Sequence, residues 1–145
     1  MYVLAFPQNQ QLHFTHIDNK NGLSERNVNC IFQDSRGFIW MGTRDGLNRY
    51  DGYQIKVFRN NPDDAYTIGG NYISHIAEDK KGNIWIATIG GGLNRFDRKT
   101  NKFYHYYHKE TNSKSIASNF INKLVIDDTD HIWLATQNDG LDLFN

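Results

Sequence analysis

A single cysteine, Cys30, rules out an internal disulfide and leaves the redox compartment open. No apolar run nears the roughly 20 residues that a membrane helix needs, so this segment is expected to make no membrane contact. Charge of one sign is missing too, since 16 basic residues balance 16 acidic ones. Without a basic stripe, nucleic acid is not an expected partner. Continuous helical periodicity is absent throughout. There is no G-x-S-x-G, P-loop, H-E-x-x-H or dinucleotide fingerprint, and hence no candidate catalytic residue, metal ligand or cofactor. Hydrophobic content is modest at 39%, but aromatics reach 14% and supply much of the core volume. At 145 residues the chain is long enough for one domain with a core.

What the chain has is one phrase written three times. Gly37-Phe-Ile-Trp40-Met-Gly-Thr43, Gly82-Asn-Ile-Trp85-Ile-Ala-Thr88 and Asp130-His-Ile-Trp133-Leu-Ala-Thr136 each lead on to Gly-Leu, at Gly46, Gly92 and Gly140. The tryptophans recur after 45 (85 − 40) and 48 (133 − 85) residues. A period in that range marks a stacked repeat architecture.

Each repeat reads as strands. The run Val28-Asn-Cys-Ile-Phe32 and its counterparts from Ile73 and Ile121 are β-branched, aromatic-rich and about one strand long. Asp34, Asp79 and Asp127 follow, with Gly37, Gly82 or Asp130 three residues later. Asp at the first and Gly at the fourth position signals a type I turn, hence a hairpin onto the Trp strand. Leu47–Tyr50, Leu93–Phe96 and Leu141–Phe144 read as third strands, and 54–58 and 102–107 as fourth strands. Four antiparallel strands per ~45 residues make one propeller blade, so the expected fold is all-β: three blades of an incomplete ring.

The expected boundaries are a disordered or residual signal-peptide tail over 1–11 and a partial β-propeller over 12–145. Within it the repeats run over about 24–66, 67–114 and 115–145, with 12–17 as an orphan outer strand. The polar stretches 59–65 and 108–114 read as surface links between blades. Each precedes a small-residue step, Ile68-Gly69 or Ile116-Ala117, echoed by Leu23-Ser24. Because three blades close no ring and the third copy stops before its own fourth strand, the expectation is a fragment, or copies that self-associate through open blade faces.

The phrase D-x-x-G-x-I-W-x-G/A-T-x-x-G-L-N-R-Y/F-D, with an N-x-I/V element before it, resembles the two-component regulator propeller repeat. The third copy departs from it, with Asp130 for glycine and Asp142-Leu143 for Asn-Arg. The resemblance implies the periplasmic sensor part of a hybrid two-component histidine kinase, with further blades following. It implies glycan-derived ligands, and a phosphorelay whose kinase is not in this chain. The chain itself is then no enzyme. The alternatives are blades with a purely structural or dimerising role and, more remotely, a propeller lyase or hydrolase, for which only Tyr72 and Arg44 offer reactive groups.

Residues that invite chemistry have plainer readings. Trp40, Trp85 and Trp133 suggest sugar stacking, but identical placement in mid-strand makes them core residues. Asp34, Asp79 and Asp127 serve turns, and Asp127-Asp-Thr-Asp130 lacks the full calcium-loop pattern. His105 and His108 belong to an outer-strand aromatic ladder without further zinc ligands, and Cys30 is a small buried hydrophobe. Binding is expected where repeats differ on a shared frame. That places Arg26, Asn27, Asn71, Tyr72, Asn119 and Phe120 at strand entrances, and Arg44, Asp45, Gln137, Asn138 and Asp139 in inner loops, on one face. Amides, arginine and aromatics suit a hydroxyl-rich ligand such as an oligosaccharide.

Overall fold

The computed structural model of the protein describes residues 12–144. The tail expected over 1–11 lies outside them. A first sheet contains β1 (Val28–Gln33), β2 (Ile39–Thr43), β3 (Leu47–Tyr50) and β4 (Ile55–Phe58), in that order. A second repeats it with β5 (Ile73–Glu78), β6 (Ile84–Thr88), β7 (Leu93–Asp97) and β8 (Lys102–Tyr106). The third has β9 (Ile121–Ile126), β10 (Ile132–Thr136) and β11 (Leu141–Phe144), three strands among the described residues. All pairings are antiparallel. These are three meander blades of an open, propeller-like array.

The hairpin turns follow the aspartates. The N–H groups of Gly37, Gly82 and Asp130 donate to the carbonyls of Asp34, Asp79 and Asp127 at 2.9–3.0 Å. Asp130 adopts φ 69° where the other copies have glycine. Aspartate tolerates that left-handed conformation better than most residues, so the turn is retained. Each aspartate has a second task that spacing alone did not reveal. Its Oδ2 accepts the indole N–H six residues on: Trp40 at 2.7 Å, Trp85 at 2.8 Å and Trp133 at 2.9 Å. The turn and the blade's largest side chain are thereby locked together.

The other repeated letters also find their causes. Leu23, Ile68 and Ile116 are buried at the blade entrances. The next N–H in each copy, of Ser24, Gly69 or Ala117, donates to Asn48, Asn94 or Asp142 on the third strand at 2.7–2.9 Å. A carboxylate accepts there as well as an amide does, which is why the Asp142 departure leaves the blade intact. The phrase's threonine bonds the glycine carbonyl that closes each inner loop, Thr43 to Gly46, Thr88 to Gly92 and Thr136 to Gly140. Gly42 fills the G/A position because a Cβ there would stand 2.5 Å from Cys30 Sγ and 2.6 Å from Ile73 of the next blade. Cys30 is half-buried, and burial raises its thiol pKa to about 11.

Neighbouring blades pack first strand on first strand, β1 on β5 and β5 on β9. Each first strand begins with a bulge, and in blades 1 and 2 the extra residue turns its side chain to the next blade. Asn29 Nδ2 donates to the Ile73 carbonyl at 3.0 Å, and Ser74 Oγ to the Ile121 carbonyl. One core lies between blades 1 and 2, around Trp40, Ile73, Phe96 and Phe103. A second lies between blades 2 and 3, around Trp85, Leu93, Ile121 and Leu134.

Two expectations need correcting. Trp133 is 37% exposed while Trp40 is 1% exposed, so only the first two tryptophans are core. An inter-blade position is buried only when a following blade covers it, and here Trp133, Val125, Leu141 and Leu143 face outward. Residues 12–17 form no strand, and Leu12 and Phe14 are exposed. An isolated strand gains nothing without an edge to pair with.

Candidate functional site

The inner loops and the blade entrances do meet on one face. Gly46 N–H donates to the Asn71 carbonyl at 2.8 Å, and Ile89 N–H to the Tyr72 carbonyl at 2.9 Å. Gly90 and Gly92 both donate to the Asn119 carbonyl at 3.0 Å, and Gln137 to the Phe120 carbonyl at 2.9 Å. A single bridge pairs Ile89 with Phe120. These bonds tie the strand entrances of blades 2 and 3 to the loops beside them. In blade 1 the equivalent N–H, that of Arg44, goes to Glu25 Oε2 at 3.1 Å instead.

The predicted side chains then divide into two groups. Asn71 and Asn119 are staples: their Oδ1 atoms accept the N–H groups of Asn60 and His108, both at 2.7 Å, and so hold the links between blades. Asp45 is paired with Arg59 at 2.8 Å. That pairing, with the carboxylate hydrogen-bonded to the guanidinium, raises the Arg59 pKa further. The second group is displayed. The Arg44 guanidinium lies over the Tyr72 ring at 5.3 Å, a cation–π pair that flattens both toward the surface. Phe120 is 47% exposed, and Arg26, Asn27, Gln137, Asn138 and Gly140 are also exposed, with Asp139 beside them. The bonded loops thus display two aromatic rings, Tyr72 and Phe120, with Arg44 and the amides of Gln137 and Asn138, while Arg26 and Asn27 are exposed at the entrance of blade 1.

Several cavities among the described residues lie away from this strip. A groove of about 430 Å³ runs between the outer strands of blades 1 and 2, lined by Phe58, Tyr66, Ile68, Lys102 and Phe103. Others lie at the turn end of the blades. Sequence reasoning missed them because they arise from side chains of different repeats facing each other. The histidines of the outer strand are structural. His105 Nδ1 bonds Asn94 Oδ1 at 2.7 Å and its ring stacks on Tyr107, while His108 Nδ1 bonds the Ile116 carbonyl at 2.8 Å. Among the described residues no group of three His, Cys, Asp or Glu side chains converges to hold a metal, and no helix is long and apolar enough to cross a membrane.

A meander sheet repeated about every 45 residues, sealed by an Asp–Trp bond and stitched to its neighbour, defines the chain as an array of propeller blades. Residues 22–45 and 67–90, in the first two blades, each match the family described as two component regulator propeller. The chain is similar to the extracellular domains of two Bacteroides thetaiotaomicron proteins assigned to the hybrid two-component systems. One shares 26% identity with a TM-score of 0.83, over 90% of this chain and 18% of that one. The other shares 31% with a TM-score of 0.65, over 80% of this chain and 16% of that one. Histidine kinase P4 of Formosa agariphila is 46% identical over 61 residues, which is 42% of this chain and 4% of the kinase. The chain therefore spans less than a fifth of each of these proteins.

Proposed function

We propose that the chain is an extracytoplasmic, ligand-sensing segment of a hybrid two-component sensor, and that its loop face contacts a glycan-derived ligand whose binding is relayed to a histidine kinase. The observation that carries this reading is the displayed strip itself. Arg44 on Tyr72, Phe120, Gln137 and Asn138 differ from blade to blade, while each of the three inner loops closes with the same Thr-to-Gly bond. Aromatic faces and planar amides on a bonded frame suit hydroxyl-rich ligands by stacking and hydrogen bonding. The likeness to extracellular sensor domains supports the setting. The test uses the sensor that carries these blades, with Arg44→Ala/Tyr72→Ala and Phe120→Ala/Gln137→Ala variants assayed for oligosaccharide-stimulated autophosphorylation. Loss of stimulation with basal phosphorylation retained is expected, and an unchanged response overturns the assignment.

One observation favours a structural role for the third blade beside this. Its outward side exposes Val125 at 60%, Leu141 at 63% and Leu143 at 46%. An apolar face of that kind associates, with a further blade or with a second copy. Light scattering across a concentration series distinguishes a defined dimer from a monomer of 16.9 kDa.

A further inference from the structure

At the end of the blades opposite the loop face, beside the turn carboxylates Asp34, Glu78 and Asp79, basic side chains gather around one cleft. Arg36 and Lys81 occupy the third position of the Asp-to-Gly turns, Arg95 lies on β7, and Arg98 and Lys99 follow it. These five cations and one carboxylate, Asp97, line a cavity of about 290 Å³. The chain as a whole is neutral, so this is a local concentration and not a basic composition. Arg98 is paired with Asp34 at 3.0 Å and Glu78 at 2.7 Å, and Arg95 acts through charge on Asp97 in the same cavity. The Asp97 carboxylate accepts the Lys99 N–H at 2.8 Å and the Thr100 N–H at 3.3 Å. Arg36, Lys81, Arg95 and Lys99 make no ion pair among the described residues.

Comparison of the blades shows why a cavity exists there. In blade 1 the Phe38 ring covers the Arg49 guanidinium at 4.8 Å, with Trp40 and Phe58 beside it. In blade 2 the same position holds Asn83, whose amide is drawn aside to Asp79 Oδ2 at 2.7 Å. Arg95 keeps a ring on one side only, Tyr104 at 5.0 Å, and its Nε, like that of Arg49, is buried with no protein acceptor. A second cavity of about 180 Å³, reaching Trp85 and bordered by Asp79 and Asp130, shares Arg95, Lys81 and Asn83 with the first, so the cationic excess belongs to the first cavity alone.

We propose that this cleft is an anion-binding site for a compact oxyanion, a sulfate, phosphate ester or carboxylate on a soluble ligand. The planar guanidinium supplies paired donors, the lysines supply point charges from the rim, and the Asn83 side faces hydroxyls. A concave site enclosed on several sides suits a compact group better than the flat surface of a membrane does. The site is independent of the loop face and stands or falls without it.

The test is a titration of the isotopically labelled chain with sodium sulfate, followed by amide NMR at ionic strength held constant with chloride. Saturable shifts at Gly82, Asn83 and Lys99 and at the Arg95 Nε–H are expected. Lys81→Gln/Lys99→Gln, on exposed positions that leave the fold alone, weakens binding about tenfold or more, as expected for lost charge-assisted contacts. Arg95→Gln does the same, and Lys114→Gln on the far side does nothing. A sulfated disaccharide binding more tightly than sulfate identifies a sugar-borne anion, and equal affinity identifies a free one. Shifts that never saturate and spread over all basic residues overturn the proposal, as does unchanged affinity in the Lys81/Lys99 variant.

Discussion

The junction between blades 1 and 2 and the junction between blades 2 and 3 come from one repeat but are filled differently. The first packs four rings, Trp40, Phe58, Phe96 and Phe103, with centroids 4.9–6.0 Å apart. It also buries an ion triad, in which Arg98 reaches back to Asp34 of the preceding blade and to Glu78, whose other contacts are the N–H and hydroxyl of Ser35. Asp34 is fully enclosed and also holds the Trp40 indole, so core and charge are one unit. The second junction has three rings, Trp85, Tyr106 and Phe144. Its polar contacts are at the surface, from the Lys80 backbone N–H to Asp130 Oδ1 at 3.1 Å and from the Lys80 ammonium to the Asp128 carbonyl. The repeat dictates the frame, and the residues it leaves free decide how firmly two blades hold.

The sharpest way to break the comparison is at the tryptophans. Trp40→Ala is expected to cost about 3–5 kcal/mol in urea unfolding, since it empties a closed core. Trp133→Ala is expected to cost only about 1 kcal/mol, because the indole already faces water on one side. Equal losses would mean that the third blade is buried in solution. Next, Arg98→Ala strands Asp34 without its cation and is expected to cost about 3–5 kcal/mol. Lys80→Ala at the other junction is expected to stay within about 1 kcal/mol.

Smaller effects sharpen the same contrast. Asn48→Ala leaves the Ser24 N–H without its acceptor, while the Ser24 hydroxyl keeps Thr43, and is expected to cost about 1–3 kcal/mol. Asp142→Asn, which restores the usual letter, is expected to change unfolding by less than about 0.5 kcal/mol. The smallest effects are those of pH. Burial pushes the Asp79 carboxyl up, but hydrogen bonds from Asn83, Trp85 and the turn backbone outweigh it and hold the pKa below its ordinary value. In Asp127 the Thr129 and Trp133 bonds act the same way. Both carboxyls bind protons more weakly folded than unfolded, so their stabilisation is intact at neutral pH and is lost as pH falls below about 4. Asp79→Asn should flatten that slope. Burial, then the nearby Lys123 charge, pushes the His75 pKa down. Its contribution is therefore present above about pH 6.5 and falls away on acidification, and His75→Gln should remove that step.

The spacing of the tryptophans was enough to read the blade pattern. Third strands expected over 47–50 and 141–144 are observed there, and the turns close as the Asp and Gly positions required. Local signals sufficed because each hairpin is decided by residues within a few positions of each other. Arg98 was illegible because its partners stand 64 and 20 residues away, and nothing in the Asp-Arg-Lys run marks it as buried. The loop face was legible as a location but not as chemistry. Asn71 and Asn119 look like free amides in sequence and turn out to be staples, because the chain segments they bind, 60 and 108, are set by link length rather than by any motif. The basic cleft was invisible for a related reason, since Phe38 and Asn83 look like neutral variation until their arginines are seen.

The bulge at the start of each first strand has a consequence for how such an array can grow. Asn29 gives to the carbonyl of Ile73, and Ser74, one copy later, gives to that of Ile121. The middle copy thus carries a donor on one side and the matching acceptor on the other. A gene segment duplicated in register inherits both halves of the seam at once, and the lengthened protein needs no new recognition to be invented. Selection is then free to act on the letters the seam does not use.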